Sequence, residues 1–580
     1  MGSWDLLSVY PPNTDIEKEL KASESKIFAL SAAKWSVEDI LYFQEIGKEL
    51  KQADSYLNCL VAQNTSDAFA WKQLGFLTKL NASYSNLTFL LSQTLKNLDD
   101  AALEKLLSTP QLKEISFYLK EIRELAQKKL DYSEESLINN LSAIGYHGFF
   151  DIYSCLVGKM RIVIGDQTLS VGQVENFLSH PDRLIRCDAF KKWEKAWAQE
   201  AEVLAQILNH LAGFRLQVYE KRGWKDILYE PLFQCRMQQK TLDVMWDVIQ
   251  KNKPIFLEYL KRKAKLLGLK KLSWIDVQAP LNNGKTEKIS FEEAAAFIHR
   301  HFEKCSLRLS DYAKAAIDKK WIEFENRSGK QPGGFCAAFP KSKESRIYMT
   351  FDGSMNNVST LAHEIGHGYH NERLLTLPFC NQQCGMNVAE TASTFAEMVV
   401  IDGALKEAKD TEKKLFLLDD KLQRAVLFFM NIHTRFLFEK QFYEERKSHF
   451  VSSERLCELM ETSQKIAYMD CLEDYYPYFW ASKLHFYYTD FPFYNFPYTF
   501  GYLFSLGLYA HSKKEGKSFM EKYDRLLDDS ARMQVEDLAA KYLQVDLTKP
   551  EFWQEGIDLL AKDVEEFLQL SNSCYASRLT

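Results

Sequence analysis

Residues 354–373 read Ser354-Met-Asn-Asn-Val-Ser-Thr-Leu-Ala-His-Glu-Ile-Gly-His-Gly-Tyr-His-Asn-Glu-Arg373. Gly353 closes the extended stretch before it, and Ser354, Asn356 or Asn357 can cap its start. No proline interrupts Val358 to Arg373, so the spacing predicts a helix. On that helix His363 and His367 stand one turn apart on one face, where two imidazoles can hold one zinc ion. Glu364 is offset around the helix. It is badly placed to share the metal and well placed to act as a general base towards water. Three of the twelve histidines of the chain (His363, His367 and His370) fall within eight residues. Evenly scattered surface histidines would not do this. The bland alternative is a solvated helix face carrying an incidental match, and the downstream sequence argues against it.

A zinc enzyme needs three protein ligands and one open position. The metzincin pattern would put Gly at 370 and His at 373, but the chain has His370 and Arg373, which closes that branch. A carboxylate on a following helix is the remaining option. The segment from Asn387 to Val400 reads as a helix with Glu390 and Glu397 two turns apart on one face. Glu390 is therefore expected on the metal, and Glu397 as the carboxylate that orients a ligand histidine. His370 is read as a supporting or packing residue, because a fourth protein ligand would close the site. Cys380 and Cys384 lie between the helix and Glu390, and are read as packing or loop residues rather than as extra ligands.

Two further segments bear on chemistry. Arg346-Ile-Tyr-Met-Thr-Phe-Asp352 is the clearest short strand of this half, with a Gly-Ser stop. His485 to Tyr502 is an eighteen-residue block of which ten are Phe or Tyr. Pro492 and Pro497 prevent one continuous helix there, so part of it is loop. Tyrosine hydroxyls can donate to an oxyanion while neutral, although most of these aromatics are expected to pack a core.

With these residues quoted, the chain resembles the oligoendopeptidase F and thimet-oligopeptidase-like zinc metallopeptidases, on the oligoendopeptidase F side. The resemblance runs through Gly333-Gly-Phe-Cys, Ser345 to Ser354, Thr360 to His370, Ala389 to Glu397 and the aromatic block. It covers the C-terminal two-thirds with specific motifs, and the first 180 or so residues only by helical character. It implies zinc on His363, His367 and Glu390, with Glu364 as base. It also implies transition-state contacts from His485, Tyr494 and Tyr498, with Tyr502 behind them. An edge strand before the zinc helix, carrying Tyr348 and Thr350, is expected to pair with the substrate main chain. The implied fold is two mostly helical lobes flanking a deep channel, with a small β-sheet next to the zinc helix.

Composition agrees with a mostly α chain. Among 580 residues only 24 are Gly and 14 Pro, and long stretches carry helical periodicity. Examples are Ile16 to Trp35, Asp182 to Lys221, Thr241 to Leu267 and Asp410 to Glu445. Residues 1–180 are expected to form a helical N-terminal lobe with a short hairpin near Met160, and 181–580 the catalytic domain. Net charge is −6 with no basic block, so nucleic-acid binding is unsupported. No apolar run reaches the roughly 18 residues that span a membrane, and no secretory signal is visible. Eleven scattered cysteines suggest reduced thiols and a cytoplasmic setting.

These readings converge on a zinc-dependent endopeptidase that cuts short unstructured peptides, with one zinc ion, in a monomer or small homo-oligomer. A carboxypeptidase or dipeptidyl carboxypeptidase on the same fold is the second reading. A non-catalytic peptide-binding protein with structural zinc is the third.

Overall fold

The computed structural model describes residues 4–12, 14–281 and 288–579. It is helical over most of its length, with one two-stranded and one three-stranded sheet among the described residues. No helix among them is long and apolar enough to cross a membrane. Cys59, Cys155, Cys187, Cys305, Cys336, Cys380, Cys457 and Cys471 are free thiols.

The chain divides into two compact units, each assembled from three segments. The first comprises Met1–Leu130, Glu287–Val400 and His511–Gln544; the second Asp131–Thr286, Ile401–Ala510 and Val545–Thr580.

In the first unit, helices Ile16–Ser31, Val37–Gln63 and Ala68–Lys96 share an apolar core. Leu20, Ile27, Phe43, Leu50, Leu57, Leu80 and Leu91 lie in it, at the three- and four-residue spacings that put side chains on one helix face. Cys380 joins the same core, as packing. Beside it stands a three-stranded sheet of β3 (Ile322–Glu323), β4 (Phe335–Phe339) and β5 (Glu344–Tyr348), in the order β3-β5-β4. Strands β3 and β5 run parallel, β4 and β5 antiparallel.

That order corrects one expectation. The strand before the histidine helix is the central strand of its sheet, paired on both sides, and β4 is an edge. Tyr348 turns its ring into the core, 0 % exposed, packed on Trp4 and Phe335. Its hydroxyl, with one proton to donate, lies 2.6 Å from the Gln331 carbonyl oxygen and 2.9 Å from that of Ala62. A side chain held in this way is a structural anchor. Thr350 lies half-buried beyond the end of β5.

In the second unit, the hairpin of β1 (Arg161–Ile164) and β2 (Gln167–Ser170) forms where the sequence places it. A 40-residue helix follows, Arg183–Arg222. The Asp182 carboxylate accepts from the Leu184 N–H, and Gly223 ends the helix at φ 72°. The Trp224 N–H then bonds back to the Tyr219 carbonyl, the closure that a left-handed glycine permits. The periodic stretch from Asp410 to Glu445 is not one uniform α-helix. A π-helical turn at Leu427–Asn431 separates Thr411–Val426 from Ile432–Arg446.

Candidate active site

The histidine helix spans Met355–Leu374, and the hydroxyl of its cap Ser354 accepts from the Asn357 N–H at 3.3 Å. The next segment differs from expectation. Instead of one helix there are two, Met386–Ala389 and Thr391–Glu407, with Glu390 at the break (φ −82°, ψ 0°). Ser393 Oγ lies 3.0 Å from both the Glu390 carbonyl and its carboxylate Oε2. Such local side-chain bonding competes with the helical ladder. Here it accompanies a break that sets the carboxylate at the mouth of the second helix.

Gly366 explains how that carboxylate reaches the histidines. A Cβ at 366 would lie 2.6 Å from both the Ala392 carbonyl oxygen and the Ser393 Cα. Backbone meets backbone at this point, two residues past Glu390. Sequence reasoning did not single out Gly366, although a glycine inside a helical pattern is itself a signal of close approach.

Three donor atoms converge as a result. His363 Nε2 and His367 Nε2 are 3.0 Å apart, and Glu390 Oε2 is 3.4 Å from each. Zinc binds nitrogen at about 2.0–2.1 Å and carboxylate oxygen at about 2.0–2.2 Å, so donors at these separations can share one ion. Among the described residues this is the group of three His, Cys, Asp or Glu side chains able to hold a metal. The three side chains keep 22–25 % of their surface, so the donors are reachable. His363 turns its other nitrogen to Glu397, Nδ1 to Oε1 at 2.5 Å, which fixes Nε2 towards the cluster.

Glu364 stands beside the donors, 5 % exposed, with its Oε2 buried and without a hydrogen-bond partner. A Cβ at Gly334, just before β4, would come within 3.2 Å of its Oε1. The charge of Glu364 is coupled to His363, His367 and Glu390, and a buried carboxylate next to a nitrogen–nitrogen–oxygen donor set fits a metal site that handles water.

The charges follow the geometry. Burial opposes a proton on His363, but the Glu397 carboxylate more than offsets it and holds the imidazole up at about 9. Burial likewise opposes charge on Glu390, and the His367 hydrogen bond overrides it, holding the carboxyl at about 2. Glu364 is raised, by burial first, with the two histidines pulling the other way. His370 is fully enclosed and lowered to about 4 by burial. Its Nε2 is 2.8 Å from Ser530 Oγ, and its ring also bonds the Ala389 backbone. It braces the residue before Glu390.

The remaining expected residues gather in the second unit. The His485 ring centroid is 5.4 Å from that of Tyr494 and 6.1 Å from that of Tyr498, and the two tyrosines are 5.7 Å apart. His485 Nδ1 is buried without a partner. Burial, then the charges of Arg435 and Lys483, push this histidine down to about 3, so it is a neutral imidazole. Tyr502 is only 5 % exposed, stacked on Phe428 at 4.4 Å and edge-on to Phe429, so its ring is packing.

Comparisons with known proteins agree with this picture. The profile of Peptidase family M3 matches residues 176–559, and that of Oligopeptidase F residues 95–161. An oligoendopeptidase F homolog of Borreliella burgdorferi is 23% identical, with 98% of each chain covered. Oligopeptidase PepF of Bacillus subtilis is 22% identical over 98% of this chain and 87% of its own. Among solved structures, a chain from Chlamydophila abortus superposes with a TM-score of 0.83 at 20% identity, covering 98% of both chains. Oligoendopeptidase-F from Enterococcus faecium gives 0.70 at 17%, covering 96% of this chain and 98% of the other. At these identities the structures speak for the fold, and the profile for the family. The chain belongs to Peptidase family M3, and is a metallopeptidase.

Proposed function

We propose that the protein is a zinc-dependent endopeptidase that hydrolyses short, unstructured oligopeptides. The observation that supports this most is the convergence of His363, His367 and Glu390 beside the unpartnered Glu364 carboxylate. One zinc ion suits two imidazoles and a carboxylate, and when bound it supplies Lewis acidity that polarises the scissile carbonyl and acidifies water. Glu364 takes the proton of the attacking water and delivers it to the leaving amine. Its raised affinity for a proton, caused by burial, suits a group that must hold one between the two steps. Glu397 orients His363, and His370 braces the segment that carries Glu390. His485, Tyr494 and Tyr498 donate to the oxyanion, a role that a neutral imidazole and two phenols can fill. Thr350, past the end of β5, is retained as a substrate contact. Tyr348 and Tyr502 are not.

The catalytic machinery is assigned to residues 181–580, and 1–180 to the helical lobe. Substrate class follows the names of the relatives, oligoendopeptidase F and oligopeptidase. The setting is proposed as cytoplasmic, on free thiols such as Cys59, Cys187, Cys336 and Cys457. Product mapping on an end-blocked, internally quenched peptide tests the reading. Chelator-sensitive internal cleavage is expected. Cleavage only after the C-terminus is unblocked would move the protein to the carboxypeptidases. No cleavage of any peptide by the zinc-loaded protein would return it to the peptide-binding reading.

A further inference from the structure

Within the second unit, the aromatic block that carries His485, Tyr494 and Tyr498 breaks a local rule. Phe493 adopts a left-handed backbone, φ 54°, which a side chain of this bulk rarely takes. Such a backbone persists only where the surroundings over-determine it. Here the surroundings are buried polar and charged groups. Glu439, 4 % exposed on the helix Ile432–Arg446, accepts the Phe493 N–H at 3.1 Å. One turn earlier on the same helix, Arg435 Nη1 donates to Asn495 Oδ1 at 3.1 Å, and Asn495 is itself buried. On the other flank, the Tyr146 hydroxyl donates to the Thr489 carbonyl at 3.0 Å. Buried Arg215, from the helix Arg183–Arg222, bonds that hydroxyl and lies 3.4 and 3.3 Å from the carbonyl oxygens of Tyr488 and Thr489.

Tyr494 therefore stands between two pinned residues. Phe493 and Asn495 are buried, and Tyr494 between them is half-buried. Its ring lies 5.4 Å from that of His485, 5.7 Å from that of Tyr498 and 4.9 Å from that of Tyr488. A carboxyl group at this depth is costly, and burial pushes Glu439 up to about 7 while the charge of Arg215 pulls the other way. An apolar side chain would fill the same space at less cost. What it could not do is accept the N–H of a strained turn one residue before Tyr494.

We propose that Glu439 is a positioning residue that acts through Tyr494: by holding the Phe493 N–H it keeps the turn left-handed and so aims the Tyr494 hydroxyl at the oxyanion. Glu439 touches no substrate. Arg435, through Asn495, and Arg215, through the carbonyls of Tyr488 and Thr489, brace the two flanks of the same turn. The proposal rests on the peptidase reading above, with Tyr494 as an oxyanion donor. Such donors act by being aimed before the reaction, so a relaxed turn should slow the chemical step and leave substrate binding largely alone.

The test is a double-mutant cycle on one end-blocked peptide at matched metal content, with kcat and KM measured separately. Tyr494→Phe should lower kcat by about 10²–10³-fold, the range of one lost oxyanion donor. Glu439→Met, which removes the acceptor and keeps the bulk, should lower kcat by about tenfold or more with KM little changed, since misplacing a group by about 1 Å can cost about 10²-fold. Glu439→Gln keeps a carbonyl for the N–H and should recover most of that loss. In the Tyr494→Phe background, Glu439→Met should change kcat by no more than about twofold, because the group it aims is already gone. Should Glu439→Met not fold, Glu439→Asp takes its place in the cycle, keeping the charge and withdrawing the acceptor by one methylene. Equal losses in the two backgrounds overturn the proposal and make Glu439 a general support of the fold. Normal kcat in Tyr494→Phe also overturns it, and leaves the metallopeptidase reading standing. Failure of metal-loaded wild type to cut any peptide sinks both.

Discussion

Two histidines, one in each unit, are driven in opposite directions. His363 has Glu397 at 2.5 Å and Glu390 near its other nitrogen, and its affinity for a proton rises to about 9. His485 has Arg435 and Lys483 for neighbours and falls to about 3. Both are largely enclosed, so burial does not distinguish them. The sign of the surrounding charge does. A carboxylate shell prepares imidazoles to receive a cation, and a cationic shell keeps an imidazole neutral and leaves room for an anion. The first unit thus carries the whole candidate donor set for a metal, and the second an imidazole held neutral beside cations.

The largest effect should come from breaking the carboxylate-rich side outright. His363→Ala or Glu390→Ala removes one of three donors, and both metal content and peptide hydrolysis should fall to background, by metal analysis and a peptide assay on the same sample. Retained stoichiometric metal in either variant would put the ligand set elsewhere.

Next in size is Gly366→Ala. The new methyl falls 2.6 Å from backbone atoms of Ala392 and Ser393, neither of which is the end of a flexible side chain. The second helix must move, carrying Glu390 with it. Overpacking of this kind costs about 1–3 kcal/mol. A lower melting temperature together with weaker metal retention is expected, whereas loss of stability alone would mean that Glu390 is not held through this contact.

A smaller effect sharpens the comparison without dismantling it. Glu397→Gln keeps the shape and removes the charge that raises His363. Changes to such outer partners typically cost about 10–100-fold in metal affinity or activity. The expected result is weaker metal binding with the fold intact, read by competition with a chromophoric chelator. Unchanged affinity would make Glu397 an ordinary helix charge.

The smallest effect concerns the second unit alone. Lys253 Nζ is buried 2.7 Å from His433 Nδ1, with no ion pair to a carboxylate among the described residues, and burial holds the amine at about 7. In an unfolded chain the value is about 10.4. Between those limits the unfolded state binds the extra proton, so native stability rises with pH across the window, and at lower pH the whole penalty of a buried ammonium applies. Lys253→Met removes that dependence but strands His433 Nδ1, so the readout is the slope. The stability of the variant relative to wild type, from urea midpoints, should decline from pH 7 to 10. A flat difference would mean that Lys253 is not depressed.

Much of this was legible in the sequence wherever the determinant is local. The Ser354 cap, the one-turn spacing of His363 and His367, and the Asp182 and Gly223 ends of the 40-residue helix all depend on neighbours within a few residues. Glu397, expected two turns from Glu390 on one helix, does meet His363, although Glu390 itself lies just outside that helix. What depended on distant pairing was not legible. The strand before the histidine helix reads the same at an edge or at a centre, because strand order is decided by β3 and β4. The break at Glu390 hid inside a good helical pattern, since Ser393 reveals its competing bonds only when folded. Glu439 and Phe493 are 54 positions apart and carry no shared motif, so their contact had no sequence signal.

The most direct test of the account is the turnover of Glu364→Gln at matched metal content. The substitution keeps the volume of a buried side chain and removes its ability to take a proton. The account expects the metal to remain bound and kcat to fall by about 10²–10⁴-fold, the range of a lost general base. Near-normal turnover by metal-loaded Glu364→Gln would contradict it.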